Sequence, residues 1–189
     1  INQGLKEYGG DLAIGAFGIV NRLVFIVVMI VMGLNQGMQP IAGYNFGAKL
    51  YGRVNKVLRL TIIYATAVTT FGFLVGMLVP DLVVGIFTSD AELTELSVTG
   101  LRITVMFFPI IGFQMVTSNF FQSIGMAGKA IFLSLTRQML ILLPCLLVLP
   151  QFFGVAGVWY SMPVSDLLAS LIALVMLVCQ FRKFRTSPL

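Results

Sequence analysis

Histidine is absent from this chain, and charged residues are scarce. Of its 189 residues, 10% are charged and 58% are hydrophobic, and the mean hydropathy is +0.99. A soluble domain usually carries about 25% charged residues, so most of the surface must face something other than water, and lipid is the simplest candidate. The absence of histidine also removes the commonest metal ligand and general base.

Cysteine is also rare, and neither cysteine suggests a disulfide. Cys145 and Cys179 lie within apolar runs, so we interpret them as packed small hydrophobic side chains. The formal net charge is +5, but the basic residues are few and stand between apolar runs, which argues against nucleic acid as a partner. The polar start of the chain does not resemble a signal peptide, and because the first residue is Ile1, we expect a fragment of a longer protein.

Long apolar stretches dominate what is present. A transmembrane helix needs about 20 mostly apolar residues, and five stretches meet that length: residues 12–47, 57–79, 98–124, 130–149 and 155–181. The first stretch is longer than one span requires and contains Pro40, so we expect a long helix kinked near that residue. The sequence therefore predicts an all-α integral membrane protein with five transmembrane helices.

Charges in the connections alternate along the chain. The first and third connections and the tail are basic, with Lys49, Arg53, Lys56, Arg59, Lys129, Arg182, Lys183 and Arg185. The second connection is acidic and the fourth is uncharged; the acidic residues are Asp81, Asp90, Glu92 and Glu95. Because Lys and Arg gather on the cytoplasmic side of membrane proteins, this pattern predicts an N-terminus outside and a C-terminus in the cytoplasm.

Four ionisable residues fall within the predicted spans, where charge is costly and marks candidate functional residues. They are one carboxylate, Asp166, and three arginines, Arg22, Arg102 and Arg137. Arg102 lies near a span end and can snorkel to the interface. Asp166 has two open roles: it binds a coupling cation or proton, or it neutralises Arg137 or Arg22 and holds the helices together. The surplus of arginines favours the structural role.

Uncharged polar residues form two clusters, one flanking Pro40 and one following Pro109. Amide side chains in a membrane helix must find partners across the bundle or in a water-filled cavity. We therefore predict a substrate or ion cavity lined by Gln36, Gln39, Tyr44, Asn45, Gln114, Asn119, Arg137 and Asp166. Plain hydrogen bonding between helices is the alternative. The clusters also contain Asn35, Thr117, Ser118 and Gln122.

Glycine pairs at GxxxG spacing occur in two of the spans. Such pairs let transmembrane helices approach closely, although glycines that are merely tolerated are an equally simple explanation. The pairs are Gly33 and Gly37, Gly43 and Gly47, and Gly72 and Gly76. The sequence has neither GxGxxG nor GxxxxGK[ST], so it gives no support to a dinucleotide or phosphate loop.

Three segments resemble the multidrug and toxic compound extrusion (MATE) family. GLNQGMQPIAGYNFGAK, which begins at Gly33, resembles a family helix that runs through a Gln-Pro pair to a Tyr-Asn-x-Gly-Ala-Lys end and a basic loop. FFQSIGMAGK, from Phe120, resembles the end of the tenth helix, and GVAGVWYSMPVSD, from Gly154, resembles the start of the last helix. The segments follow the family order and cover nearly the whole chain.

The resemblance implies a fold and an activity. Family members have twelve helices in two related lobes, and they exchange sodium ions or protons for organic cations or drugs by rocking the lobes. Residues 1–189 would then be helices eight to twelve of the C-terminal lobe, with the N-terminal lobe elsewhere in the same chain, in a bacterial inner (plasma) membrane. By the same resemblance, the coupling ion is sodium or a proton, with no other cofactor.

Some branches of the family carry coupling carboxylates on helices seven and ten. The tenth-helix equivalent has none between Glu95 and Gln122, which favours a coupling site in the N-terminal lobe.

Other functions remain as alternatives. A related flippase for lipid-linked oligosaccharides would use a cationic cavity, for which Arg22, Arg102 and Arg137 are candidates. A receptor or scaffold is compatible with the same composition. A membrane-embedded enzyme would need a convergent nucleophile, base or metal-ligand set, which the sequence does not offer, so we predict a protein that is not an enzyme.

Overall fold

A computed structural model describes the backbone of residues 2–186 and the side chains of residues 10–182, and it contains helices but no strand within that range. Lys183 and Arg185, two of the predicted basic tail residues, lie outside the described side chains. The elements are α1 (Asn2–Gly47), α2 (Tyr51–Leu78), α3 (Pro80–Gly85), α4 (Ala91–Val105), α5 (Phe108–Ser123), α6 (Ala127–Leu135), a π-helical segment (Thr136–Leu142), α7 (Leu143–Phe153) and α8 (Val155–Thr186).

Four helices in the described range are long and apolar enough to cross a membrane by themselves: Gly10–Gly47, Tyr51–Leu78, Ala127–Phe153 and Val155–Arg182. A fifth span is formed if α4 and α5, which are bent by 54° relative to each other, count as one. Each predicted stretch corresponds to one of these spans. The prediction of an all-α integral membrane protein is therefore confirmed.

Proline does not interrupt the first span. Helix α1 continues through Pro40, and its one residue with non-helical dihedral angles is Gly10, at φ 66° and ψ −162°. A proline removes a single backbone hydrogen bond, and membrane helices tolerate this loss when neighbouring groups satisfy the freed carbonyl. The non-helical dihedral angles of α1 therefore lie at Gly10, a glycine that can adopt positive φ, and not at Pro40, where the kink predicted from the sequence stays a prediction.

The third span, predicted as one continuous stretch, is broken. Helix α4 ends at Val105 and α5 begins at Phe108, directly before Pro109. Pro109 cannot donate a backbone hydrogen bond to the Val105 carbonyl, and its ring clashes with that carbonyl, so the helix bends here. At the other end, Asp90 caps α4 by accepting a hydrogen bond from the Leu93 N–H at 3.0 Å.

The fourth span contains a π-helical segment before a proline. Pro144 has no N–H to give to the carbonyl one α-helical turn earlier, and the preceding residue, Leu143, donates its N–H to the Gln138 carbonyl five residues back. Wide turns of this kind are frequent at functional sites. The segment also contains Arg137, one of the candidate residues.

Large apolar side chains face outward from the helices, as lipid contact requires. Phe71 of α2 is 69% exposed, and Leu147 and Leu171 are also exposed. Cys145 and Cys179 are free thiols, and Cys179 is exposed on α8, so the expectation that both cysteines are packed holds only for the partly buried Cys145.

Close helix contacts occur at only some of the predicted glycine pairs. Gly72 and Gly76 face α1 and α4, and a Cβ added to Gly72 would lie 2.9 Å from the Val27 side chain. Around Gly33 and Gly37, by contrast, nothing lies within 4 Å of an added Cβ. The GxxxG spacing therefore marks a close helix approach at Gly72 and Gly76, whereas the Gly33 and Gly37 pair is open in the described part of the chain.

Candidate functional site

An ion pair joins the fourth span to α8. The Arg137 Nη2 and Nε atoms both donate to Asp166 Oδ1, at 2.7 and 2.8 Å. The Asp166 side chain is 5% exposed, whereas that of Arg137 is 34% exposed. Because a buried charge is retained only when it is paired, the geometry agrees with the predicted counter-ion role of Asp166.

Three buried serines lie near Asp166 on α8. Ser170, one turn further along α8, donates its hydroxyl to the Asp166 backbone carbonyl at 2.7 Å. Ser161 and Ser165 are also buried and donate to backbone carbonyls of the same helix. Sequence reasoning singled out none of these three serines. Their four-residue spacing, Ser161 with Ser165 and Asp166 with Ser170, was the available signal for polar groups facing the bundle.

A second polar contact joins the two predicted polar clusters. Gln39 of α1 donates its Nε2 to Asn119 Oδ1 of α5 at 3.2 Å, and Asn119 in turn donates to the Met115 carbonyl at 2.9 Å. The helices also approach closely at Gly43, where an added Cβ would lie 2.9 Å from the Ser123 carbonyl oxygen. At this pair, hydrogen bonding between helices, the simpler of the two predicted explanations, is what the structure shows.

Several buried amide atoms have no hydrogen-bond partner within residues 10–182. Asn35 is 2% exposed and both of its amide atoms are unpartnered, and Gln114 is 4% exposed with an unpartnered Oε1. Asn45 donates to the Ile41 carbonyl at 2.8 Å, while its Oδ1 is unpartnered. Such groups are costly in hydrocarbon, so they mark interior positions where a polar ligand, water or further protein is favoured.

Other candidates lie on the outside of the described bundle. Tyr44 is 76% exposed, and Gln36 is exposed on the same helix. Arg22 on α1 and Arg102 on α4 are exposed as well. The eight predicted cavity residues therefore form two bonded pairs, two buried amides with unpartnered atoms and two outward-facing side chains. That all eight line one cavity stays a prediction.

A cavity with both polar and apolar lining residues lies between α5 and α6, and the sequence analysis singled out two of its polar residues. It has a volume of about 310 Å³ and is lined partly by Ser118, Gln122 and Ser134. Ser118 and Gln122 belong to the predicted polar cluster, whereas Ser134 does not. The Ser118 and Ser134 hydroxyls are 3.5 Å apart, so the cavity contains weakly bonded polar groups that are available to a ligand.

Lys129 forms a contact that sequence reasoning missed. Its Nζ donates to Gln180 Oε1 of α8 and lies 5.3 Å from the centroid of the Phe121 ring. Gln180 is buried. A lysine interpreted from the sequence only as a topology marker thus also attaches the start of α6 to α8. The glutamine near the end of the last apolar stretch was the available signal.

We expect the Gln39–Asn119 hydrogen bond to contribute modestly to stability. Hydrogen bonds between membrane helices average about 0.6 kcal/mol in double-mutant cycles. A cycle of Gln39→Leu, Asn119→Leu and the double variant in the full-length protein should therefore give a coupling free energy of that order. Gln39→Leu with Gln122→Leu is the matched control cycle, since Gln122 is exposed. A coupling indistinguishable from the control would contradict the contact.

These features define an all-helical integral membrane protein with polar groups paired between its spans. The sequence profile of the MatE family matches residues 5–147. The multidrug export protein MepA of Staphylococcus aureus (strain MSSA476) is 28% identical over 174 residues, which cover 92% of this chain and 38% of that protein. The chain therefore belongs to the MatE family of multidrug efflux transporters.

Solved structures agree with this assignment. The MATE multidrug transporter DinF-BH, whose structure was solved as a complex, is 37% identical, with a TM-score of 0.84 over 97% of this chain and 41% of that one. An outward-facing MATE transporter of the MOP superfamily, at 18% identity over 98% of this chain and 42% of that one, has the same fold with a TM-score of 0.90. The chain thus spans about two fifths of the length of these relatives.

Proposed function

We propose that the full-length protein exports organic cations or drugs in exchange for sodium ions or protons. Membership of the MatE family is the observation that carries this proposal. The names of two relatives, a multidrug export protein and a multidrug transporter, support drugs as the substrate class. The partners are then the bilayer and the remaining lobe of the same chain, in a bacterial inner membrane with the basic connections in the cytoplasm.

Alternating access is supported by a similarity of fold: this segment resembles both an outward-facing and an inward-facing MATE transporter structure. The TM-score is 0.90 against the outward-facing structure and 0.88 against the inward-facing structure, both at 18% identity. A segment whose fold fits both states about equally is suited to move as a rigid body. Rocking of such a body against a second lobe exposes a central site to each side in turn.

The Arg137–Asp166 pair has a structural role in this proposal. The Arg137 guanidinium lies 2.7 Å from Asp166 and already neutralises it, and Asp166 is the one carboxylate buried among the described residues. A coupling ion at Asp166 would have to displace or share that guanidinium. The proposal therefore places the coupling ion outside residues 10–182, with the pair holding the fourth span against α8.

The test uses the full-length protein in liposomes and a fluorescent organic cation such as ethidium. Liposomes loaded with sodium, or acidified inside, are diluted so that the gradient points outward. We expect dye uptake that requires one of these gradients and stops when an ionophore dissipates it, with protein-free liposomes as the control. Dye movement that ignores both gradients would refute coupled antiport, and no movement of several organic cations would refute the substrate class.

The flippase alternative lacks the observation that would favour it. A pyrophosphate cavity needs several unpaired cationic groups facing one space. Arg137 is paired with Asp166, and Arg22 and Arg102 are exposed on the surfaces of α1 and α4. The described residues therefore do not assemble the three arginines into a cationic cavity.

A further inference from the structure

Uncompensated positive charge is concentrated at the start of α2. Arg53, Lys56 and Arg59 are all exposed, and none of their side chains forms a hydrogen bond or ion pair with a described residue. The first turn of α2 contains no acidic residue, and Leu50 provides no side-chain cap. A helix N-terminus already carries partial positive charge, so basic residues here do not stabilise the helix. The arrangement favours an external anion.

An apolar groove begins beside these charges and runs along α2. Its first part, about 250 Å³, is lined by Asn55, Leu58, Arg59, Ile62, Ile63 and Phe181. Its second part, about 590 Å³, shares Ile62 and Ile63 and continues past Thr66, Ala67, Thr70, Phe71 and Leu74. Because the two parts share Ile62 and Ile63, they lie one after the other on the same face of α2 and form a shallow groove with a basic, amide-bearing end and an apolar remainder.

The apolar part of the groove is long enough for one leaflet of a bilayer. From Ile62 to Leu74 the helix advances twelve residues, which is about 18 Å at 1.5 Å per residue. Half of a typical hydrocarbon core is about 15 Å. The small side chains of Ala67 and its neighbouring threonines form the floor of this stretch, while Ile63 and Phe71 rise beside it. An acyl chain of that length that starts at Ile62, three residues after Arg59, would therefore end near Phe71.

We propose that this groove binds a phospholipid with an anionic headgroup. The lipid phosphate contacts Arg59 and Lys56, the Asn55 amide donates to a headgroup oxygen, and one acyl chain lies along α2 over Ala67. Charge complementarity selects an anionic headgroup, since Arg59 lines the groove's end and the exposed Arg53 and Lys56 lie within the two preceding turns of the same helix, none of the three paired with a described acidic residue. The apolar length selects a lipid over free phosphate. This site is separate from the transport function proposed above and does not depend on it.

The experiment titrates the delipidated full-length protein in detergent with phosphatidylglycerol and follows binding by native mass spectrometry. The binding variant is Lys56→Gln combined with Arg59→Gln, and Arg102→Gln, an exposed arginine on α4, is the matched control. We expect the affinity of the double variant for phosphatidylglycerol to fall roughly 30-fold, which corresponds to about 2 kcal/mol. Arg102→Gln should bind like the unchanged protein, and phosphatidylcholine should bind more weakly than phosphatidylglycerol.

A second variant tests the groove apart from the charges. Ala67→Phe fills the floor without touching a buried residue, because Ala67 is exposed, and it should lower the affinity for phosphatidylglycerol while leaving the unfolding temperature without lipid unchanged. Equal binding of the two lipids, full affinity in either variant, or equal competition by inorganic phosphate would overturn the proposal. A lipid-free dimer whose formation depends on Ala67 would overturn it as well, since a second copy of the protein would then occupy this face.

Discussion

Replacing Asp166 by asparagine should sharply reduce the stability of the full-length protein. The substitution keeps the side-chain shape but leaves the Arg137 guanidinium without its charged partner, which now lies 2.7 Å away. Removing one member of a buried ion pair costs about 3–5 kcal/mol. Because the Arg137 side chain is 34% exposed and partly screened, we expect a loss near the lower limit of that range, measured as thermal unfolding in detergent.

Removing both charges separates a structural role from a coupling role. Arg137→Met combined with Asp166→Leu leaves no unpaired charge, and replacing a buried pair by apolar residues is often neutral or stabilising. We therefore expect the double variant to regain most of the lost stability and to retain ion-driven dye flux in liposomes. Asp81→Asn, which removes an exposed carboxylate at the start of α3, is the control for charge alone.

The remaining outcomes of this experiment are also informative. If Asp166→Asn is stable but ion-driven exchange is lost, and if the double variant does not recover it, Asp166 carries the coupling ion and the structural assignment is wrong. If both stability and flux are unchanged in Asp166→Asn, the ion pair has neither role. Measuring both quantities on the same preparations distinguishes these cases.

Hydropathy predicted the five spans because the bilayer imposes a length and a composition on each of them. What it could not predict is where a span bends. Pro40, Pro109 and Pro144 are all prolines within apolar stretches, yet α1 continues through Pro40, the third span breaks before Pro109, and Pro144 follows a π-helical segment. The consequence of a proline depends on which neighbouring group satisfies the freed carbonyl, and that is a tertiary property.

The Arg137–Asp166 pair was predictable for a different reason. A deep carboxylate needs a counter-ion, and the sequence offered one carboxylate and few arginines. Amide side chains carry no such requirement for a specific partner, so the two polar clusters allowed many pairings. The structure pairs Gln39 with Asn119, while Tyr44 and Gln36 face outward. Which of these side chains finds a partner depends on its position around the long helix α1. That position depends in turn on α1 continuing through Pro40.

The glycines also show that a local sequence pattern does not determine how closely two helices pack. GxxxG spacing marked Gly33 and Gly37, where an added Cβ meets no described residue within 4 Å, but did not mark Gly100 or Gly112. At Gly100 an added Cβ would lie 2.6 Å from the Trp159 ring. Two helices that cross at an angle approach each other closely at one point, so a single glycine is enough there. A repeated glycine spacing in the sequence therefore does not indicate such a contact.

Gly112→Val should have a large effect, because α5 packs directly against the backbone of α2 at this position. An added Cβ at Gly112 would lie 2.8 Å from the Ala65 carbonyl oxygen and 2.8 Å from Thr69 Oγ1. Neither atom can move cheaply, since the oxygen belongs to the helix backbone and already accepts the Thr69 hydroxyl at 3.0 Å. Overpacking of a core typically costs about 1–3 kcal/mol, and occasionally more, and the branched side chain should place Gly112→Val at the high end.

Alanine at the same position isolates the contribution of a single methyl group. In an open helix position, Gly→Ala stabilises by up to about 1 kcal/mol through helix propensity alone, which is the result expected for Gly37→Ala, where no described residue lies within 4 Å of an added Cβ. At Gly112 the clash must outweigh that gain, so Gly112→Ala should lower the unfolding temperature of the full-length protein in detergent while Gly37→Ala does not. A Gly112→Ala protein as stable as the Gly37→Ala protein would show that α2 and α5 are further apart than the structure places them. The Thr69 hydroxyl, which lies between the two helices, would then also be further from α5.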